Sequence, residues 1–154
     1  MGRGHLARLA AAGAALALVA PASAGLQWRL FAHGIGSRLG QPTPTAYLAL
    51  DLAHTTGFAQ LLPTGGRSAL ARTDFTKDAV VAVFGEWGCT DHRIVVRSVN
   101  RRARTIVVSL VSRPPAPGTA ECLAIYPTYR LLAIAKAQLV RPFPRRAEVT
   151  LARA

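Results

Sequence analysis

The chain has 154 residues, 51% of them hydrophobic, and carries 19 Lys and Arg against 7 Asp and Glu for a formal net charge of +12. That apolar content excludes a disordered chain, which has too little apolar surface to offset its conformational entropy. Two cysteines exclude a disulfide-dense miniprotein and, with no histidine pairs nearby, a zinc module.

The chain opens as a secretory leader. Arg3 and Arg8 supply the positive start, Leu9 to Ala20 the apolar segment, and Ala22-Ser23-Ala24 a small-residue cleavage site. The apolar run is too short to span a bilayer of about 30 Å as a helix. Cleavage after Ala24 is expected, leaving one domain over residues 25–154 that is secreted or periplasmic, monomeric and without stable membrane insertion. Removing Arg3 and Arg8 leaves 17 basic against 7 acidic residues, a net charge of +10. Heavy use of Ala and Arg follows from GC-rich coding, and a field of one sign also attracts an anionic envelope polymer or nucleic acid.

Leu26, Trp28, Leu30 and Ala32 alternate at period two, which predicts a half-buried strand over Leu26 to His33, closed by Gly34 and Gly36. Gln41 to Thr45 is a loop and Ala46 to Leu50 a second strand. Asp51 can cap a short helix over 51–62, where Leu52, Thr55, Phe58, Ala59 and Leu62 recur at helical spacing before Pro63. Thr64-Gly65-Gly66-Arg67 reads as a turn, since no Gly-Lys-Ser/Thr pattern supports a phosphate loop.

The run Ala79-Val80-Val81-Ala82-Val83-Phe84 has no polar alternation and predicts a central strand buried on both faces. His92 to Val99 and Arg104 to Arg113 are further strands joined by a polar connection at Asn100 to Ala103, with Ile106, Val108 and Leu110 inward. The proline-rich stretch 114–118 stops the second of them. Glu121 to Tyr126 and Thr128 to Ala135 are strands separated by Pro127, and 147–151 is a final edge strand. The sum is a mostly β, antiparallel β-sandwich-like domain with one short helix.

Cys89 and Cys122 admit a single intramolecular disulfide. It closes a loop of 32 intervening residues, a contribution of roughly 3–4 kcal/mol on the chain-entropy account. The bridge would pin the loop Glu86 to Arg93 beside Arg113 to Thr119. In the first loop Trp87 supplies rigid contact area, Glu86, Thr90 and Asp91 hydrogen-bonding groups, and His92 and Arg93 donors, the mixture found at protein interfaces. Arg101-Arg102-Arg104 and Arg141 with Arg145-Arg146 form two basic groups with too few aromatics to support stacking on bases. An enzyme would have to use His33, His54 and His92 with Asp51, Asp74, Asp91 or Cys89. These sit in no nucleophile elbow and at no metal-ligand spacing, so no catalytic residues, metal or cofactor are expected.

The order of features resembles the C-terminal domain of the protease complex subunit PrcB family. The matching residues are Trp28 followed by Gly34 and Gly36-Ser37, the segment around Phe58, Asp74-Phe75, Val83-Phe84-Gly85, the hairpin 93–113, Pro117-Gly118, and Tyr126-Pro127 with Tyr129-Arg130-Leu131-Leu132. Where that family's loop runs toward Thr-Gly-Gly-Tyr, this chain has Cys89-Thr90-Asp91-His92. The resemblance implies an extracytoplasmic binding domain without catalysis of its own, associated with a secreted protease.

Overall fold

The apolar run at 79–84 becomes the middle of the longest ladder in the molecule. A computed structural model describes residues 24–36, 44–88, 93–113, 118 and 125–153. In chain order its strands are β1 (Ala24–Gly25), β2 (Arg29–Ile35), β3 (Thr45–Ala49), β4 (Asp78–Gly88), β5 (Arg93–Arg102), β6 (Thr105–Arg113), β7 (Ile125–Ala135) and β8 (Arg146–Arg153). They form two four-stranded sheets, ordered β1-β5-β6-β8 and β2-β7-β4-β3.

β4 pairs with β7 from Asp78 and Ala135 to Gly88 and Ile125, and β3 lies along its other edge. Alternate residues of β4 then face two different apolar layers. Ala79, Val81 and Val83 meet Leu132, Ile134, Val99, Ile106, Val108 and Leu110 between the sheets. Val80, Ala82 and Phe84 meet Phe58, Leu62, Leu70 and Leu131 on the opposite side, under a helical cover. Two buried faces remove any need for a polar position, which is why the run has none. Ile106, Val108 and Leu110 are inward as expected.

The helical cover departs from the expected helix at 51–62. That stretch forms two 3₁₀ turns, Ala53–Gly57 and Ala59–Leu61, and the α-helix α1 spans Thr64–Ala71, where a turn was expected. The Thr55 hydroxyl donates to the Leu52 carbonyl at 2.7 Å and the Thr56 hydroxyl to that of Ala53 at 3.1 Å, competing with α-helical bonding. Phe58 must also leave the turn to enter the core between Tyr47 and Phe84, with ring centroids 5.7 and 6.2 Å away. Pro63 precedes α1 as its N-cap, in extended conformation, and its carbonyl accepts the first helical bond from the Arg67 N–H at 2.9 Å, while its missing N–H is not needed there.

Gly66 explains the double glycine. A Cβ there would lie 3.1 Å from the Tyr129 ring, whereas one at Gly65 would meet nothing within 4 Å. Tyr129 is buried and bounded on another side by Gly34, where a Cβ would come to 3.4 Å, so its ring has little room to yield. Gly66→Ala is therefore expected to lower stability by about 1–2 kcal/mol, overpacking outweighing the gain in helix propensity. Gly65→Ala should raise it by up to about 1 kcal/mol. Denaturant midpoints of the two variants moving in the same direction would contradict the packing.

Two other expectations are corrected. Pro127 does not split the chain into two strands, because β7 runs unbroken through that proline from Ile125 to Ala135; residues 121–124 of the expected strand lie outside the described residues. Pro127 sits at the end of the ladder with β2, where it loses little: its carbonyl accepts from the Gly36 N–H at 2.7 Å and the adjacent Thr128 hydroxyl reaches the Gly85 carbonyl at 3.4 Å. The final strand, β8, is an edge as expected but runs parallel to β6, the one parallel pairing among the described residues. β7 delivers the chain to the end where β6 begins, and Arg101 holds the connection there. Its guanidinium donates to the carbonyls of Val140, of Pro142 at 2.6 Å and of Ala103 at 3.0 Å. Among the described residues no helix is long and apolar enough to cross a membrane.

Candidate functional site

The loop expected from Glu86 to Arg93 is shorter than the glycines implied. Glu86, Trp87 and Gly88 remain in β4, opposite Pro127, Tyr126 and Ile125, and Arg93 already opens β5 opposite Arg113. Gly85 and Gly88 do not stop the strand, because β7 continues to pair with it. Only residues 89–92 join β4 to β5. Of the candidate contact residues, the backbone places Glu86, Trp87 and Arg93 at strand ends, while Thr90, Asp91 and His92 lie outside the described residues. The same is true of Cys89, Cys122 and most of the 114–124 connection.

The two ladders nevertheless end together. Gly88 is the partner of Ile125 and Arg93 the partner of Arg113, so the chain leaves β4 and enters β7 from adjacent positions, and leaves β6 beside the start of β5. Two large apolar side chains stand open at this end: Ile35 is 60% exposed at the tip of β2 and Tyr126 40% exposed near the start of β7. Neither is a contact candidate in the sequence, where Tyr126 enters only as a strand end and through the family resemblance. Ile35 sits between two glycines and Tyr126 beside a proline, both of which read as punctuation rather than contact surface. Tyr126 is the backbone register partner of Trp87. One step inward, Arg130 is partly buried, and desolvation pushes its pKa down.

Among the described residues, the acidic candidates for catalysis, Asp51 and Asp74, make local contacts, while Cys89, Asp91 and His92 lie outside the described residues. His54 Nδ1 lies 2.6 Å from Asp51 Oδ1, which also accepts the His54 backbone N–H at 3.0 Å, so the carboxylate closes the first 3₁₀ turn. The hydrogen bond from His54 holds the Asp51 carboxyl below its ordinary pKa. Asp74 accepts from the Thr76 hydroxyl at 2.5 Å and its N–H at 3.0 Å, which likewise lowers its pKa, with Lys77 at 3.4 Å. Both turns therefore hold best above the usual carboxylate range and loosen as pH falls through the lowered values. His33 is on exposed β2, opposite Arg130. No group of three His, Cys, Asp or Glu among the described residues could hold a metal ion.

A shallow pocket of about 380 Å³ opens between α1 and β2, lined by Arg29, Phe31, Arg72, Thr73, Asp74 and Asp78. Its charges are balanced, and Arg29 is committed to Asp78 at 3.7 Å and to the Phe31 ring. Comparison of the chain with protein-family models, with curated proteins and with solved structures finds no match.

Proposed function

We propose that this chain is an exported, non-catalytic binding module that docks on another extracytoplasmic protein through the end of the sandwich where β4 passes into β5. The observation that carries this reading is the exposure of Ile35 and Tyr126 beside converging strand ends. Aromatic and aliphatic side chains mounted on rigid strands are the usual anchors of interface hot spots, since little ordering is needed on binding. The resemblance to the PrcB family makes a secreted protease the proposed partner, with Glu86, Trp87, Thr90, Asp91, His92 and Arg93 completing the contact. A bridge between Cys89 and Cys122 fits the pairing of Gly88 with Ile125, because each cysteine lies within a few residues of one member of that pair.

The test is affinity capture from the extracytoplasmic fraction with the wild-type chain and with an Ile35→Ser, Tyr126→Ser variant. A protease should be recovered by the first and lost, by roughly tenfold or more, with the second. Capture of a protease equally by both, or of none by either, removes the reading. Two further outcomes are expected of the exported chain: amino-terminal sequencing should begin at Gly25, and thiol titration of the denatured protein should find no free thiol before reduction. Reduction should then lower stability by roughly 3–4 kcal/mol.

A further inference from the structure

Two arginine groups that are far apart in sequence meet at the other end of the sandwich. Arg102 closes β5 and Arg104 lies in the turn to β6, while Arg145 and Arg146 lead into β8. The Arg145 N–H donates to the Arg104 carbonyl at 2.7 Å. Thr105 is the register partner of both Arg102 and Arg146, so these two arginines stand two strands apart, about 10 Å between Cα atoms. All four are exposed.

Their neutralisation within the protein is slight. Glu148, the only acidic residue among the described residues of this sheet, lies 3.0 Å from Arg146 Nε. The guanidiniums of Arg102, Arg104 and Arg145 make no hydrogen bond or ion pair among the described residues, whereas neighbouring Arg101 is engaged with three carbonyls. Gathering like charge on one end opposes folding through self-repulsion, and an external anion relieves it.

The rest of this sheet face indicates what kind of anion. The row Arg102, Thr105, Arg146 is followed along the strands by Asn100, Val107, Glu148 and then Ser98, Ser109, Thr150. The Thr150 hydroxyl donates to that of Ser109 at 3.2 Å and the Asn100 amide to that of Ser98 at 3.0 Å, a shelf of small hydrogen-bonding groups next to the charges. These rows carry no aromatic ring, and the nearest one, Phe143, already has the Arg141 guanidinium over it at 5.4 Å, which leaves no open platform for successive nucleic-acid bases. We infer that this end binds an anionic polysaccharide, with Arg102, Arg104, Arg145 and Arg146 taking its acidic groups and the hydroxyl row its sugar hydroxyls. The site lies some ten residues of β5, about 30 Å, from the proposed protein-docking end and stands or falls independently of it.

The test measures affinity for a heparin decasaccharide across salt concentrations. The wild-type chain should bind with log K falling by about 3 per unit of log salt, as four neutralised charges require. The Arg102→Ser, Arg104→Ser, Arg145→Ser variant should bind about tenfold or more weakly, with a slope near 1. An Arg67→Ser, Arg72→Ser, Arg97→Ser variant loses the same charge from elsewhere on the surface and should stay within about twofold of the wild type. All six side chains are exposed, and thermal melts of both variants should match the wild type. Equal weakening of the two variants would overturn the site in favour of net charge alone. Tighter binding of duplex DNA of equal charge, or of phosphatidylglycerol vesicles, through the same three arginines would overturn the assignment to a polysaccharide.

Discussion

Phe58→Ala is expected to destabilise the fold by about 3–5 kcal/mol, a large part of the 5–15 kcal/mol that holds an ordinary domain together. Phe58 belongs to no strand, yet it is fully buried and its ring is one corner of a triangle with Tyr47 of β3 and Phe84 of β4, whose own centroids are 5.8 Å apart in an edge-on contact. Truncation leaves a void between three elements, and neither strand can close on it without breaking its ladder. The helical cover, held by short 3₁₀ turns with little intrinsic stability, depends on this anchor more than a long helix would. Leu52→Ala, at a site 60% exposed in the same segment, should stay within about 0.5 kcal/mol of the wild type. Denaturant midpoints read at constant slope separate the two, and a loss below about 1 kcal/mol for Phe58→Ala would show that this layer is not core.

Val80→Asp and Val81→Asp should each prevent folding. The two residues are adjacent and point to opposite faces of β4, one toward the helical cover and one into the space between the sheets. Both are fully buried, with no basic group among the buried residues around them to pair with a new carboxylate. Removing an unpaired carboxylate from water costs several kcal/mol even when it protonates, enough to exhaust the stability of a domain this size. A strand with one wet face would tolerate one of the two substitutions. A soluble, cooperatively folded variant at either position, seen by near-ultraviolet circular dichroism and thermal melting, would show that β4 is covered on one side only.

The parts of this fold legible in the sequence are those set by burial along a single segment. The uninterrupted run at 79–84 and the alternation of Ile106, Val108 and Leu110 each report the environment of their own strand. Segment 51–62 misled because Leu52, Thr55, Phe58 and Leu62 have helical spacing, while threonine hydroxyls and the demand to bury Phe58 favour tighter turns. Gly65-Gly66 looked like a turn because the reason for Gly66, the ring of Tyr129, is supplied by a strand more than sixty residues later. The direction of β8 depends on which end of the molecule β7 reaches, something no local pattern encodes. The same holds for the two proposed sites: Ile35 and Tyr126 share one end, and the Arg145 N–H reaches the Arg104 carbonyl, only because sheet pairing puts them there.

The side-by-side arrangement of β6 and β8 has a consequence for the newly made polypeptide. Until Arg146–Arg153 is made and paired, the outer edge of β6 lacks its cover, and Ile106-Val107-Val108-Ser109-Leu110-Val111 is a β-prone, uncharged hexapeptide. Such an edge can recruit the same segment of a neighbouring chain into a growing fibril-like stack. Chains cut short before Arg146 should therefore accumulate as aggregates rather than as loosened monomers, so that β8 guards β6 against self-templating.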